Sequence, residues 1–152
     1  MSSRLNPYAV APDALKPLME LEERFKAGPL EGSLIELVKT RASQINGCAS
    51  CLHMHTHDAL AAGEQPDRLF LLDAWRESQM YTPRERAALA WTEALTRIAD
   101  THAPDADYEG LAPQFKPEEI VELSLLIATI NSWNRLAIGF RIRHPHDKPP
   151  AG

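Results

Sequence analysis

The sequence predicts an all-α fold in a single domain, and three observations support this. Apolar residues recur at helical spacing along almost the whole chain. Runs in which valine, isoleucine, threonine or aromatic residues alternate with polar ones, as they do in strands, are absent. The chain has 152 residues, of which 44% are hydrophobic, enough for one domain with a buried core. We therefore expect a helical bundle of about six to seven helices.

The N-terminal part of the chain is predicted to contain three helices. The first follows a short lead-in and covers about residues 12–28, where glycine and proline end it. The second covers residues 31–45. Gly47 then breaks the chain, and a third helix opens at a pair of cysteines and ends at Gly63.

The C-terminal part is predicted to contain a short helix at 69–75 and two long ones. The first long helix runs to about residue 98 and opens with TPRE, a capping box with proline at its first helical position. Residues 103–115 contain prolines, a glycine and several acids, so a loop with room for one helical turn is expected. The last helix covers 117–141. Its segment 123–130 is apolar all round, which favours burial on more than one side and suggests a subunit interface.

Composition and charge argue against nucleic-acid and membrane partners. The net charge is −5 and the basic residues are scattered, which argues against a nucleic-acid partner. Neither a signal-peptide core nor a membrane-spanning apolar run is present, so we expect a soluble, cytoplasmic protein without a membrane partner. The predicted organisation is a lead-in and first helix at 1–30, a core at 31–141 and a flexible tail at 142–152.

The segment GCASCLHMHTH holds both cysteines of the chain. Because each helical residue advances about 100°, Cys48, Cys51 and His55 fall within about 60° of one another on an apolar face. His53 and His57 lie on the opposite side and are expected to be solvated. In the cytosol a structural disulfide would be unusual, which favours reactive thiols or metal ligands.

The position of the cysteines favours redox chemistry. Free backbone N–H groups and the positive end of the helix dipole stabilise an anion in the first turn of a helix, and a Cys-x-x-Cys pair there has a lowered thiol pKa. Cys48 and Cys51 could close a disulfide, and His55 could carry the proton. Inert packing of the thiols and a zinc site remain as alternatives, although a zinc site lacks its usual four ligands. A thioredoxin fold is disfavoured because no strands are predicted.

The arrangement of a glutamate, eleven residues, Cys-x-x-Cys, three residues and a histidine is met by Glu36, Cys48, Cys51 and His55. It resembles the alkylhydroperoxidase D (AhpD) family, within the wider carboxymuconolactone decarboxylase superfamily, and the similarity extends from about residue 31 to 141. The resemblance implies an AhpD-like bundle that forms trimers or hexamers. It also implies a hydroperoxide substrate, a thiol or protein reductant, and no metal or organic cofactor.

The resemblance further assigns roles to the four residues. It implies that Cys51 is the peroxidatic thiolate, that Cys48 resolves it as a disulfide, and that Glu36 and His55 relay protons. The residues alone do not rank the two cysteines, since Cys48 is closer to the helix start. Family members often carry a histidine where this chain has Ser50, and a hydroxyl does not titrate near neutral pH, so a shorter relay is implied.

Other interpretations of these residues are open. Taken alone, Glu36 could be a solvated partner of Lys39 on its own helix. The protein could also be a decarboxylase like carboxymuconolactone decarboxylase, a zinc-binding protein or a redox sensor. Arg135 is expected to be structural. The tryptophans are expected in the core; they are Trp75, Trp91 and Trp133.

Overall fold

The computed structural model describes residues 4–148, and within that range the chain is a single α-helical domain without strands. The prediction of an all-α fold in a single domain is thus confirmed. The described residues form nine α-helices and one 3₁₀ turn: α1 (Pro7–Val10), α2 (Pro12–Lys26), α3 (Gly32–Asn46), α4 (Ala49–Ala61), α5 (Pro66–Phe70), the 3₁₀ turn Leu72–Ala74, α6 (Pro83–Thr96), α7 (Ile98–Thr101), α8 (Asp105–Glu109) and α9 (Pro117–Phe140).

The helix count exceeds six to seven because four of the helices have only four or five residues. Helix α1 lies in what was predicted to be an irregular lead-in, where Asn6 caps it by accepting a hydrogen bond from the Tyr8 backbone N–H at 3.1 Å. The helix predicted to reach Ile98 instead breaks at Arg97, which separates α6 from α7. Helix α6 opens with the predicted capping box at Thr82.

The centre of the domain is built by α3, α6 and α9. Its largest apolar cluster joins side chains of these three helices with Phe25 from α2 and Leu111 and Phe115 from the segment before α9. A second cluster around Leu72 and Trp75 fills the space between α3, α4 and α6. Helix α3 contributes side chains to both clusters and therefore lies between them.

Helix α9 is buried on one side and apolar on the other. Leu123, Ile127 and Ile130 are almost inaccessible to solvent, whereas Val121 and Ile138 are 67% and 46% exposed. Among the described residues, no helix is long and apolar enough to cross a membrane.

The turn between α3 and α4 positions the cysteines. Gly47 adopts φ 68°, ψ 35°, a left-handed conformation that glycine takes without strain. The Asn46 side-chain amide donates to the side-chain oxygens of Asn131 and Asn134, each at 2.9 Å. Asn134 in turn donates to the Ser43 hydroxyl at 3.0 Å. These hydrogen bonds hold the C-terminal end of α3 against α9. The left-handed turn at Gly47 then reverses the chain, so that α4 packs against α3.

Candidate active site

The two cysteines lie at the start of α4 and form a disulfide. Cys48 is the N-cap residue, in extended conformation, and its Sγ accepts a hydrogen bond from the Cys51 backbone N–H at 3.3 Å. Both side chains are buried, at 1% and 5% exposure for Cys48 and Cys51. The predicted start of the third helix at this pair is found. Both sulfur atoms lie at the first turn of α4, where the helix dipole stabilises a thiolate once the disulfide is reduced.

His55 lies one turn beyond Cys51 on the same helix face. Its Nδ1 is 2.9 Å from Oε2 of Glu36, which α3 contributes. A carboxylate can only accept a hydrogen bond, so Nδ1 carries the proton and Nε2 holds the lone pair when the ring is neutral. The fold thus brings Glu36 to His55, and both residues share one cavity with Cys51.

Glu36 is not paired with Lys39, the alternative that its own helix allowed. Lys39 is 5% exposed and forms an ion pair with Glu22 of α2. The side chain of Glu36 is 19% exposed and faces the histidine. Because Lys39 is paired with Glu22 of α2, the carboxylate of Glu36 is available to bond His55 and orient its ring.

A cavity of about 360 Å³ opens over this group, a size suited to a small organic molecule. Cys51, His55 and Glu36 line it, whereas Cys48 is not among the lining residues. The chain ends contribute to its walls through Tyr8 of α1 and Ile142 after α9. Its other apolar lining side chains are Met19, Met54, Trp133 and Ala137.

Two of the tryptophans occupy the predicted core and one does not. Trp75 and Trp91 are 4% and 7% exposed. Trp133 instead lines the cavity and stacks on Tyr8, with ring centroids 6.4 Å apart. An apolar helix position can face a cavity as well as a core, and the helical spacing alone does not distinguish the two. The exposed Arg135 donates from its guanidinium to the Asn131 backbone oxygen of the same helix at 2.9 Å.

Asp58 is a site residue that the sequence reasoning missed. It lies one turn after His55 on α4 and lines the same cavity. Ligand atoms of Glu36, His55 and Asp58 all lie within 4.8 Å of one another, so this group could meet a cation. However, the Nδ1 of His55 is already bonded to Glu36, which favours an acid–base role for that pair. The i, i+3 spacing of His55 and Asp58 was the available signal.

His53 and His57 were expected to be solvated on the side of α4 opposite the cysteines. His57 is exposed, but His53 is partly buried. Nε2 of His53 is buried, and its ring stacks on those of His57 and His144, with centroids 4.1 and 4.8 Å away. Desolvation lowers the pKa of His53, and the charges of the neighbouring imidazoles lower it further. Both effects favour the neutral form of the His53 ring.

The segment after α9 covers part of the site. Arg141 ends α9 in a left-handed conformation, and the Ile142 backbone N–H donates to the Ala137 oxygen at 2.9 Å. Ile142 then contacts the cluster formed by the two cysteines and Ala137. Of the predicted flexible tail at 142–152, the part up to residue 148 lies within the described residues.

The sequence matches a known family and is similar to a bacterial protein over most of its length. Residues 12–94 match the carboxymuconolactone decarboxylase family. The uncharacterized protein YdfG of Bacillus subtilis is 41% identical over 138 residues, which cover 91% of this chain and 94% of YdfG.

Solved structures with the same fold include two AhpD-like proteins. A protein of unknown function from Agrobacterium tumefaciens, provisionally described as the antioxidant defence protein AhpD, has a TM-score of 0.93 and 44% identity, covering 96% of this chain and all of that one. An uncharacterized peroxidase-related protein with an alkylhydroperoxidase AhpD core from Ralstonia eutropha has a TM-score of 0.80 and 20% identity, covering 92% of this chain and 75% of that one.

Proposed function

Because this chain belongs to the carboxymuconolactone decarboxylase family, we propose that it is an enzyme of the AhpD type that reduces hydroperoxides through its Cys-x-x-Cys pair. One observation carries the proposal: Cys51, and not Cys48, lines a largely apolar cavity together with the hydrogen-bonded pair His55 and Glu36. Such a cavity would bring the O–O bond of an organic hydroperoxide to a single thiolate.

The proposed reaction balances in two steps. The Cys51 thiolate attacks the terminal hydroxyl oxygen of the hydroperoxide, and the O–O bond breaks. The products are a Cys51 sulfenic acid and an alkoxide, which takes up one proton to become the alcohol. The Cys48 thiol then attacks the Cys51 sulfur, water leaves, and the disulfide forms. A dithiol protein or two small thiol molecules supply two electrons and two protons, restore both thiols and become a disulfide themselves.

The polar pair beside the sulfurs would move the protons. Glu36 accepts the Nδ1 hydrogen of His55 and so favours the tautomer whose Nε2 can take the Cys51 proton. The imidazolium formed in that step is stabilised by the carboxylate and can return the proton to the departing alkoxide. Ser50 also lines the cavity but does not titrate near neutral pH, so this proposed relay has a single histidine.

Thiol counting tests the proposed function on the wild-type protein. Fully reduced protein is mixed with about one equivalent of cumene hydroperoxide, and free thiols and mass are followed with time. We expect both thiols to be lost rapidly, with a Cys48–Cys51 disulfide as the product. Thiols that survive the peroxide would refute the peroxidase proposal.

Three further measurements separate the rival functions: steady-state turnover, metal content and decarboxylase activity. A redox sensor would be oxidised once per chain and would show no steady-state turnover with excess dithiol reductant. A zinc protein would hold the metal between its reduced cysteines. A lactone decarboxylase would keep its activity in the variant that lacks both thiols, since that chemistry needs no redox pair.

Replacing Glu36 with glutamine should slow oxidation of Cys51. The glutamine oxygen can still accept the Nδ1 hydrogen of His55, but it carries no charge to stabilise the imidazolium. We expect the second-order rate constant with hydroperoxide at pH 7 to fall by about 10- to 100-fold, which is at or below the lower end of the roughly 100- to 10,000-fold contribution of a general acid–base residue, because Glu36 acts through His55. The decay of free thiol after rapid mixing measures this rate.

The matched control for that variant is Glu20→Gln. Glu20 is an exposed α2 residue paired with Lys16 at 3.9 Å and lies outside the cavity, so the rate should not change. Equal rates for Glu36→Gln and wild type would remove Glu36 from the mechanism.

We also propose that the chain assembles as a trimer or hexamer through α9. The exposed apolar side chains Val121, Leu125 and Ile138 lie on this helix away from the core. Burying them between subunits would remove apolar surface from water.

A further inference from the structure

Four of the six histidines of the chain gather on the side of α4 away from the cysteines. His53 and His57 are one helical turn apart on α4, and His144 and His146 belong to the segment that follows α9. We call these four residues the histidine cluster. The proposed peroxidase cycle does not use them.

The spacing of the rings fits a shared metal ion. Two imidazoles bound to one Zn²⁺ at about 2.0–2.1 Å in tetrahedral geometry have ring centroids about 5 Å apart. The centroid of His53 lies 4.1 Å from that of His57 and 5.2 Å from that of His146. The centroids of His57 and His146 are 6.5 Å apart, and that of His144 is 4.8 Å from His53.

The ring nitrogens are suited to ligation. Nδ1 of His57 lies 2.7 Å from the His53 backbone oxygen and donates to it, so the lone pair of the neutral ring is on Nε2. Metal-binding histidines commonly hold their second nitrogen in this way. Nε2 of His53 and Nδ1 of His144 are buried and have no hydrogen-bond partner among the described residues. A bound cation would give these two nitrogens a partner.

We propose that the histidine cluster binds one divalent first-row transition metal ion of the Zn²⁺, Ni²⁺ or Cu²⁺ class, with imidazole nitrogens as its ligands. Neutral imidazole suits these ions. His57 and His146 are exposed, so an ion can enter from solvent. The rings are now largely stacked, and binding turns them so that their nitrogens converge. The ion then joins the C-terminal segment to α4.

Calorimetric titration with Zn²⁺ tests this site. The protein carries no affinity tag, is stripped with chelator and dialysed, and keeps its disulfide closed so that thiolates do not compete for the metal. We expect one ion per chain with micromolar or tighter affinity. The single variants His57→Ala and His146→Ala should each bind at least about tenfold more weakly, because even the loss of an outer-shell partner costs about 10- to 100-fold in metal affinity.

Controls distinguish this site from others. His102→Asn changes an exposed histidine outside the cluster, with asparagine chosen because residue 102 has φ 55°, and should leave the affinity unchanged. Asp58→Asn disrupts the group of Glu36, His55 and Asp58, whose ligand atoms lie within 4.8 Å of one another, and should also leave the affinity unchanged. The absence of saturable binding, or binding lost in Asp58→Asn but kept in both histidine variants, would overturn the proposal.

A second readout reports the coordination geometry of the bound ion. Co²⁺ bound by imidazoles in a tetrahedral site gives visible d–d absorption, and its intensity should fall in His57→Ala. Circular dichroism of each variant shows that the helices remain intact. These measurements do not depend on whether the protein turns over peroxide, so the two proposals can fail separately.

Discussion

Replacing Cys51 with serine is expected to abolish hydroperoxide reduction, with at least about a thousandfold loss of kcat/KM. In the proposed cycle only Cys51 meets the substrate, because it lines the cavity and Cys48 does not. A serine hydroxyl is far less acidic than a thiol and does not form a stable sulfenic acid equivalent. Steady-state turnover with excess dithiol and organic hydroperoxide measures the loss.

The Cys48→Ser variant should behave differently. Its Cys51 can still react once with peroxide, so one equivalent is consumed per chain and a sulfenic acid accumulates, which dimedone labelling and mass spectrometry detect. Ser132→Ala is the matched control, because it removes a hydroxyl on α9 outside the cavity lining, and it should turn over normally. Sulfenic acid trapped on Cys48 in the Cys51→Ser variant would reverse the two roles.

The sequence predicted the local geometry of the site. The helical angle placed Cys48, Cys51 and His55 on one face, and Gly47 marked the turn before them; both features are found in the fold. Local rules suffice there because helix periodicity and a left-handed glycine act over a few residues. The contact of Glu36 with His55 needed the tertiary packing of two helices. Only the family spacing pointed to it.

The cavity walls could not be predicted in the same way. Tyr8 and Ile142 come from opposite ends of the chain, and neither belongs to a long periodic helix. Trp133 was expected in the core because an apolar helix position looks the same in sequence whether it meets a core or a cavity. His53 was expected to be solvent-exposed. It is partly buried because His144 and His146, about ninety residues later in the chain, pack against it.

A buried ion pair between α3 and α6 lies at the centre of a network of charged side chains. Arg41 and Glu93 have side-chain exposures of 5% and 11%, and Nε of Arg41 donates to Oε1 of Glu93 at 2.9 Å. The indole N–H of Trp75 donates to the same oxygen at 2.8 Å. Arg76 pairs with the other carboxylate oxygen, and Asp73 pairs with Arg41. The buried charges of Arg41 and Glu93 therefore compensate each other, whereas the side chains of Asp73 and Arg76 are 79% and 54% exposed.

The variant Glu93→Gln should be less stable than wild type by about 3 kcal/mol, the lower end of the roughly 3–5 kcal/mol for breaking a buried ion pair, because the buried Arg41 guanidinium keeps only the largely exposed Asp73 as a charged partner. For a chain of this size, the corresponding decrease in Tm is about 6–12 °C. Chemical unfolding followed by circular dichroism measures the change. Glu20→Gln, which removes an exposed carboxylate, should stay within about 0.5 kcal/mol of wild type.

The effect of Glu93→Gln should depend on pH in a definite direction. Burial raises the pKa of Glu93, but the hydrogen bonds from Trp75 and Arg76 and the charge of Arg41 outweigh it, and the net pKa is lowered. A carboxyl with a lowered folded pKa stabilises the fold above its unfolded value of about 4.3, and that stabilisation disappears as pH falls through the folded pKa.

The difference in unfolding free energy between wild type and Glu93→Gln should therefore be largest near neutral pH and shrink below about pH 4. Replacing both charged residues, as in Arg41→Met with Glu93→Leu, should recover much of the lost stability, since no buried charge then lacks a partner. A Glu93→Gln protein as stable as wild type at pH 7 would mean that the network contributes little. A difference that grows on acidification would mean that the pKa of Glu93 is raised in the folded protein.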